Sequence, residues 1–101
     1  MSKKARSGHS QSRHDRKVRE IARKYELKGY DVKADDVPDF SDPGSIHGKV
    51  PDVIAEKNGH TTVVEVETED SVGTKRDKKQ RREFKRWTGR KNTRHFKREV
   101  I

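Results

Sequence analysis

Asn58-Gly59 stands between two runs of β-branched and apolar residues, and this dipeptide constrains the fold more than any other feature of the chain. Val50-Pro51-Asp52-Val53-Ile54-Ala55-Glu56 precedes it, and Thr61-Thr62-Val63-Val64-Glu65-Val66-Glu67-Thr68 follows. A two-residue hairpin loop of type I′ requires positive φ at both central positions, which Asn-Gly adopts readily. Such a turn pairs Lys57 with His60 and fixes the register behind it, so that Ile54 faces Val63 and Asp52 faces Glu65. Lys57–His60 is a hydrogen-bonded pair and pair types alternate. Asp52–Glu65 then falls on a close, non-hydrogen-bonded pair with Cα atoms about 4.5 Å apart. Side chains alternate along a strand, so Glu67 shares the face of Glu65. The opposite face carries Val53, Ala55, Val64 and Val66 and is expected to meet a helix.

Three carboxylates on one end of a hairpin face repel one another and raise one another's pKa. A divalent cation relieves that repulsion, and oxygen ligands favour Mg2+ or Mn2+. A basic side chain from elsewhere relieves it too. The plain alternative is a solvated edge hairpin, with Asp52 paired to a Lys or Arg of a helix.

Charge makes the plain alternative less attractive. The chain has 101 residues, 43% of them charged and 26% hydrophobic, with a net charge of +9. Residues 1–30 carry ten Lys/Arg against three acids, residues 31–74 three against eleven, and residues 75–101 thirteen against three. A simple basic coat for nucleic acid gains nothing from eleven central carboxylates. The length allows one small domain with a thin core. The absence of cysteine excludes a disulfide framework and a Cys-based zinc site. The longest strictly apolar run is Val53-Ile54-Ala55, too short for a membrane span or a signal-peptide core. A cytoplasmic protein with a polyanionic partner is expected.

Around the hairpin, residues 1–11 are polar and aperiodic and read as a disordered basic arm. Val18, Ile21, Ala22 and Tyr25 recur at helical spacing, which predicts a helix over about 12–27, capped by Ser12 and stopped near Gly29. Residues 30–34 alternate as a short strand. Residues 35–48 contain two prolines, two glycines and four aspartates and form a loop, pinned by Phe40 and Ile46. Residues 74–88 predict a second helix with a thin apolar stripe, Phe84 and Trp87, and Gly89 as its stop. Residues 93–100 predict a last strand. The order α-β-β-β-α-β gives a small α/β domain with a mixed sheet. The second helix has eight cations against Asp77 and Glu83, a surplus that a phosphate backbone would relieve. Lys75, Arg76, Lys79, Arg82 and Arg86 are the expected nucleic-acid contacts. The five histidines show no ligand spacing, and most read as surface residues.

Pro51-Asp52, a twelve-residue spacer and Glu65-Val66-Glu67 resemble the signature of the PD-(D/E)XK nuclease superfamily. The predicted element order over residues 12–101 is similar to the core of that restriction-endonuclease-like fold, and most similar to small archaeal Holliday-junction resolvases. The resemblance implies a metal-dependent endonuclease acting on DNA phosphodiesters, structure-specific in the resolvases. It implies Asp52, Glu65 and the Val66 carbonyl as ligands of Mg2+ or Mn2+, with Asp52, Glu65 and Glu67 as the catalytic set. Glu67 departs from the family, which usually has lysine there. It is then a base, an extra ligand or a mark of lost activity, and Lys49 or Lys75 is a displaced cation. Asp15 or Glu20 matches the acid that the family's first helix often contributes, and both also read as helix-surface charges. The resemblance and the thin core imply a homodimer, with Trp87, Phe96, Val100 and Ile101 at its interface. Two other classes stay open: a catalytically degenerate nucleic-acid-binding module on the same fold, and an assembly protein that binds RNA.

Overall fold

A computed structural model describes residues 8–101. Its elements are α1 (Gly8–Leu27), β1 (Asp31–Ala34), β2 (Val53–Lys57), β3 (His60–Glu67), α2 (Lys75–Gly89) and β4 (Arg94–Val100). The order α-β-β-β-α-β is the expected one. The four strands form one mixed sheet in the order β1-β2-β3-β4, antiparallel except for the parallel β3–β4 pair. Parallel neighbours need a crossover, and α2 provides it.

The hairpin register is the one the turn dictates, with Lys57 opposite His60, Ile54 opposite Val63 and Val53 opposite Val64. Asn58 and Gly59 take φ of 54° and 82°, both in the left-handed region. The ladder stops one residue short of the expected Asp52–Glu65 pair. The next hydrogen-bonded pair would join residue 51 to Val66, and Pro51 has no N–H to give. The main chain of Asp52 turns to β1 instead, where its carbonyl accepts the Asp35 N–H at 2.9 Å.

Each face of the sheet has its own core. Val53, Ala55, Val64 and Val66 pack with Val18, Ile21, Ala22 and Tyr25 of α1. Ile46, Val63 and Phe84 of α2 form the second cluster, with Ile54, Trp87 and Phe96 against it. Phe40 packs on the first cluster and Ile46 is buried in the second, so both pin the long loop as expected. Trp87 packs in the core as its place in the apolar stripe of α2 predicts; Phe96 and Ile101, expected with it at a subunit interface, also pack within the chain, whereas Val100 is exposed.

Helix ends differ from expectation. α1 begins at Gly8, so Ser12 lies inside it, and only residues 1–7 of the expected arm fall outside the described residues. Nothing in residues 8–11 forces a stop, and a Gln11-to-Asp15 side-chain hydrogen bond of 2.8 Å spans the added turn. α2 runs through Gly89 and ends on Arg90 in a right-handed conformation. Its start is held by Thr74, whose hydroxyl accepts the Asp77 N–H at 3.2 Å, while Asp77 Oδ2 accepts the Gly73 N–H at 2.7 Å. Asp77 is therefore a buried capping residue, not a partner for the helix's exposed cations.

Phe84 is fully buried and joins α2 to the sheet. Phe84→Ala should cost about 3–5 kcal/mol, a large part of the stability of so small a domain. Leu27→Ala, at a position 88% exposed, should stay within about 0.5 kcal/mol. Urea denaturation followed by circular dichroism measures both.

Candidate functional site: an acidic cleft beside a cationic helix

Asp52, Glu65 and Glu67 lie together in the wall of a cleft of about 450 Å³, bounded by the start of α1, the 35–50 loop and the start of α2. They are 9%, 4% and 3% exposed. Asp52 and Glu65 hold each other through main-chain donors. The Asp52 N–H donates to Glu65 Oε1 at 3.2 Å, and the Val66 N–H donates to Asp52 Oδ2 at 2.8 Å. This exchange occupies the place of the missing ladder rung. In a ladder the N–H and C=O of one residue point to the same neighbour, so the Val66 carbonyl also points toward β2. The Glu67 carbonyl points the other way and accepts the Ile101 N–H at 2.8 Å.

The cation nearest in register does not reach Glu65. Arg98 of β4 is paired with Glu65 along the sheet, but its Nη2 lies 2.6 Å from Asp77 Oδ2. Its Nε is buried without a hydrogen-bond partner. Among the described residues, no Lys or Arg forms an ion pair with Asp52 or Glu65. Burial, followed by the charges of Asp52 and Glu67, pushes the Glu65 carboxyl from 4.5 up to about 10.

His14 is the site residue that the sequence reading missed. It is buried, with Nε2 3.3 Å from Asp52 Oδ1 and Nδ1 3.1 Å from Asp15 Oδ1. It continues the stripe of Val18, Ile21, Ala22 and Tyr25 one turn toward the N-terminus, and that spacing is the signal that marks it as inward-facing. Of the two helix acids, Asp15 borders the cleft, whereas Glu20 pairs with Lys17 on the surface at 2.7 Å. Asp35 was likewise unassigned. It also lines the cleft, and its carboxyl is raised by burial and by the Asp52 charge.

Glu67 is tied to the turn that leads to α2. Ser71 Oγ donates to Glu67 Oε1 at 2.7 Å, and the Thr68 N–H donates to Ser71 Oγ at 3.0 Å. Lys49 lines the cleft and Lys75 does not. Lys49 sits on a second tight turn, in which His47 and Gly48 have φ of 51° and 80° and main-chain bonds of 2.7 and 3.0 Å join Ile46 to Lys49. Ile46 anchors that turn in the core.

The five expected nucleic-acid contacts divide. Arg76 lines the cleft. Lys75, Lys79, Arg82 and Arg86 are exposed on the side of α2 opposite its buried residues Asp77, Phe84 and Thr88. Comparisons with protein-family models, curated proteins and solved structures each found no match. Among the described residues, no group of three or more His, Cys, Asp or Glu side chains is arranged to hold a metal ion. No described helix is long and apolar enough to cross a membrane.

A carboxyl whose folded pKa exceeds its unfolded value contributes stability at low pH that is lost as pH rises through the folded pKa. For Glu65 that window runs upward from 4.5 to about 10. In metal-free buffer Glu65→Gln should therefore stabilise the protein by an amount that is smallest near pH 4 and grows toward pH 9. Each kcal/mol relieved raises Tm by about 4–8 °C in a domain of this size. Thermal melts of both proteins across this pH range test it, and a constant difference in Tm counts against an uncompensated Glu65.

Proposed function

We propose that the protein is a metal-dependent endonuclease acting on DNA phosphodiesters, with the cleft as its active site. One observation carries the reading: Asp52 and Glu65 are buried together, fixed by the main-chain N–H groups of Val66 and Asp52 respectively, and unpaired with any described Lys or Arg. Asp52, Glu65 and the Val66 carbonyl are hard oxygen donors that suit Mg2+ or Mn2+, and a divalent ion would displace the proton that burial holds on Glu65. Mg2+ is commonly held by one or two carboxylates together with water and substrate phosphate, so a third acidic side chain is not required. When bound, the ion supplies a water of lowered pKa and neutralises charge on a phosphate. The chain's own residues orient the site. The Val66 N–H and His14 fix the two oxygens of Asp52, and the Asp52 N–H fixes Glu65. Lys49 and Arg76 are the cations of the cleft wall, and they face an entering phosphate. The strand order, the mixed sheet and the position of the acids at the end of the hairpin support a PD-(D/E)XK reading.

A second reading, a catalytically degenerate nucleic-acid-binding module, is favoured by Glu67. Its hydrogen bond to Ser71 gives it a structural task where PD-(D/E)XK enzymes usually carry lysine. The two readings part on cleavage of duplex, junction, flap and single-stranded substrates with Mg2+ or Mn2+. For the enzyme, Asp52→Asn should lower the rate about 100-fold or more and leave DNA binding intact or stronger. Carboxyl NMR signals of Asp52 and Glu65 that do not respond to Mg2+ or Mn2+ would favour the binding module. Glu67→Lys should raise activity if Glu67 marks decay, and abolish it if Glu67 is a ligand or base. A homodimer built on the exposed Val100 belongs to the same proposal. A sedimentation mass of one chain well above micromolar concentration removes it.

A further inference from the structure

Cations occupy three sides of α2, not one. The outward ridge is Lys75, Lys79, Arg82 and Arg86. A quarter turn toward the cleft stands Arg76, and a quarter turn the other way stand Lys78 and Lys85. On that far side Lys78, Arg81, Arg82, Lys85 and Arg86 line a groove with no other residue type in its wall. Of the eight helix cations only Arg86 has an acid within ion-pair distance among the described residues, namely Glu83 at 3.2 Å. The helix lies over β3 and β4, and β4 is an edge strand, so the far flank looks out past the end of the sheet.

We propose that α2 docks in the major groove of B-form duplex DNA, with its two flanks on the phosphates of opposite strands. The inference rests on the reading of α2 as the nucleic-acid interface and adds the form of the partner and the groove. An α-helix with its side chains is about 10–12 Å across, and the B-form major groove is about 12 Å wide. A helix charged on one side suits a single backbone. A helix cationic along its ridge and far flank, with Arg76 beside Glu83 as the one cation of its cleft flank, suits a trough with phosphates on both walls. The ridge then presents Lys79, Arg82 and Arg86 to base edges, where Arg and Lys meet guanine O6 and N7. A-form RNA has a deep, narrow major groove that does not admit the helix. Phe84 packs on Val63 of the sheet and Thr88 is buried beside it, on the side away from DNA.

The test uses the full chain carrying Asp52→Asn, so that cleavage does not interfere with binding. Fluorescence anisotropy compares a short DNA duplex with an RNA duplex of the same sequence over a range of salt. DNA should bind at least about tenfold tighter. Lys85→Gln on the far flank and Arg76→Gln on the cleft flank should each lower the salt slope by about one. At saturating protein, guanine N7 should be protected from dimethyl sulfate within the bound site. Equal affinity for the RNA duplex, reactive N7 atoms, or an unchanged slope for Lys85→Gln overturns the inference. Absence of binding to any nucleic acid overturns the proposed interface as well. Absent cleavage by the unsubstituted chain with N7 protection intact overturns only the nuclease reading.

Discussion

The exchange between Asp52 and Glu65 is the contact on which the rest of the cleft depends. A β-ladder would continue through residue 51, but Pro51 has no N–H and the two strands part there. The vacated main-chain groups still need partners, since an unsatisfied buried N–H costs about 1–3 kcal/mol. The Asp52 carboxylate accepts the Val66 N–H of the lost rung, and Glu65 accepts the Asp52 N–H beside it. Hydrogen bonding from the backbone thus fixes the acids at the point where the sheet opens. Burial at that point leaves Glu65 with a raised pKa and no described cation to offset it.

The sheet supplies the walls. α1 packs on one face through Val18, Ile21 and Ala22, and its first turns carry His14 and Asp15 across to Asp52. α2 packs on the other face through Phe84, and its capped start brings Thr74, Arg76 and Asp77 to the same opening. Asp77 has two tasks. It accepts the Gly73 N–H at the helix start and holds Arg98, which takes the one arginine in register with Glu65 away from it. The acidity of the cleft is therefore partly a consequence of how α2 is tied to β4.

Local chemistry made the hairpin legible. Asn58-Gly59 determines the register of β2 and β3, and with it the two core faces and the shared position of Asp52, Glu65 and Glu67. Periodicity found both helices and the order of elements. What escaped the sequence reading depends on contacts between distant segments. His14 looks like one more charged-helix residue unless its spacing to Val18 and Ile21 is followed inward. Asp35 and Lys49 belong to a loop whose path rests on left-handed backbone at three non-glycine residues, Asp36, Asp39 and His47, which residue type alone does not announce. Asp77 sits among cations at pairing distance in sequence, yet the buried side of α2 claims it. The early start of α1 and the end of α2 at Arg90 are boundary effects of the kind that helix propensity does not resolve.

The start of α2 lines the acidic cleft through Thr74 and Arg76, while Lys79, Arg82 and Arg86 stand on the outer side of the same helix, which is about 10–12 Å across. That thickness is close to the Debye length, about 8 Å at physiological ionic strength and about 30 Å at 0.01 M. In physiological salt a phosphate approaching the ridge is largely screened from the carboxylates behind the helix. At low ionic strength the same phosphate feels both, and the acids subtract from the pull of the cations. The usual strengthening of polyanion attraction on dilution of salt is thereby blunted, and the molecule has a field that turns it ridge-first toward a negative surface before any contact is made.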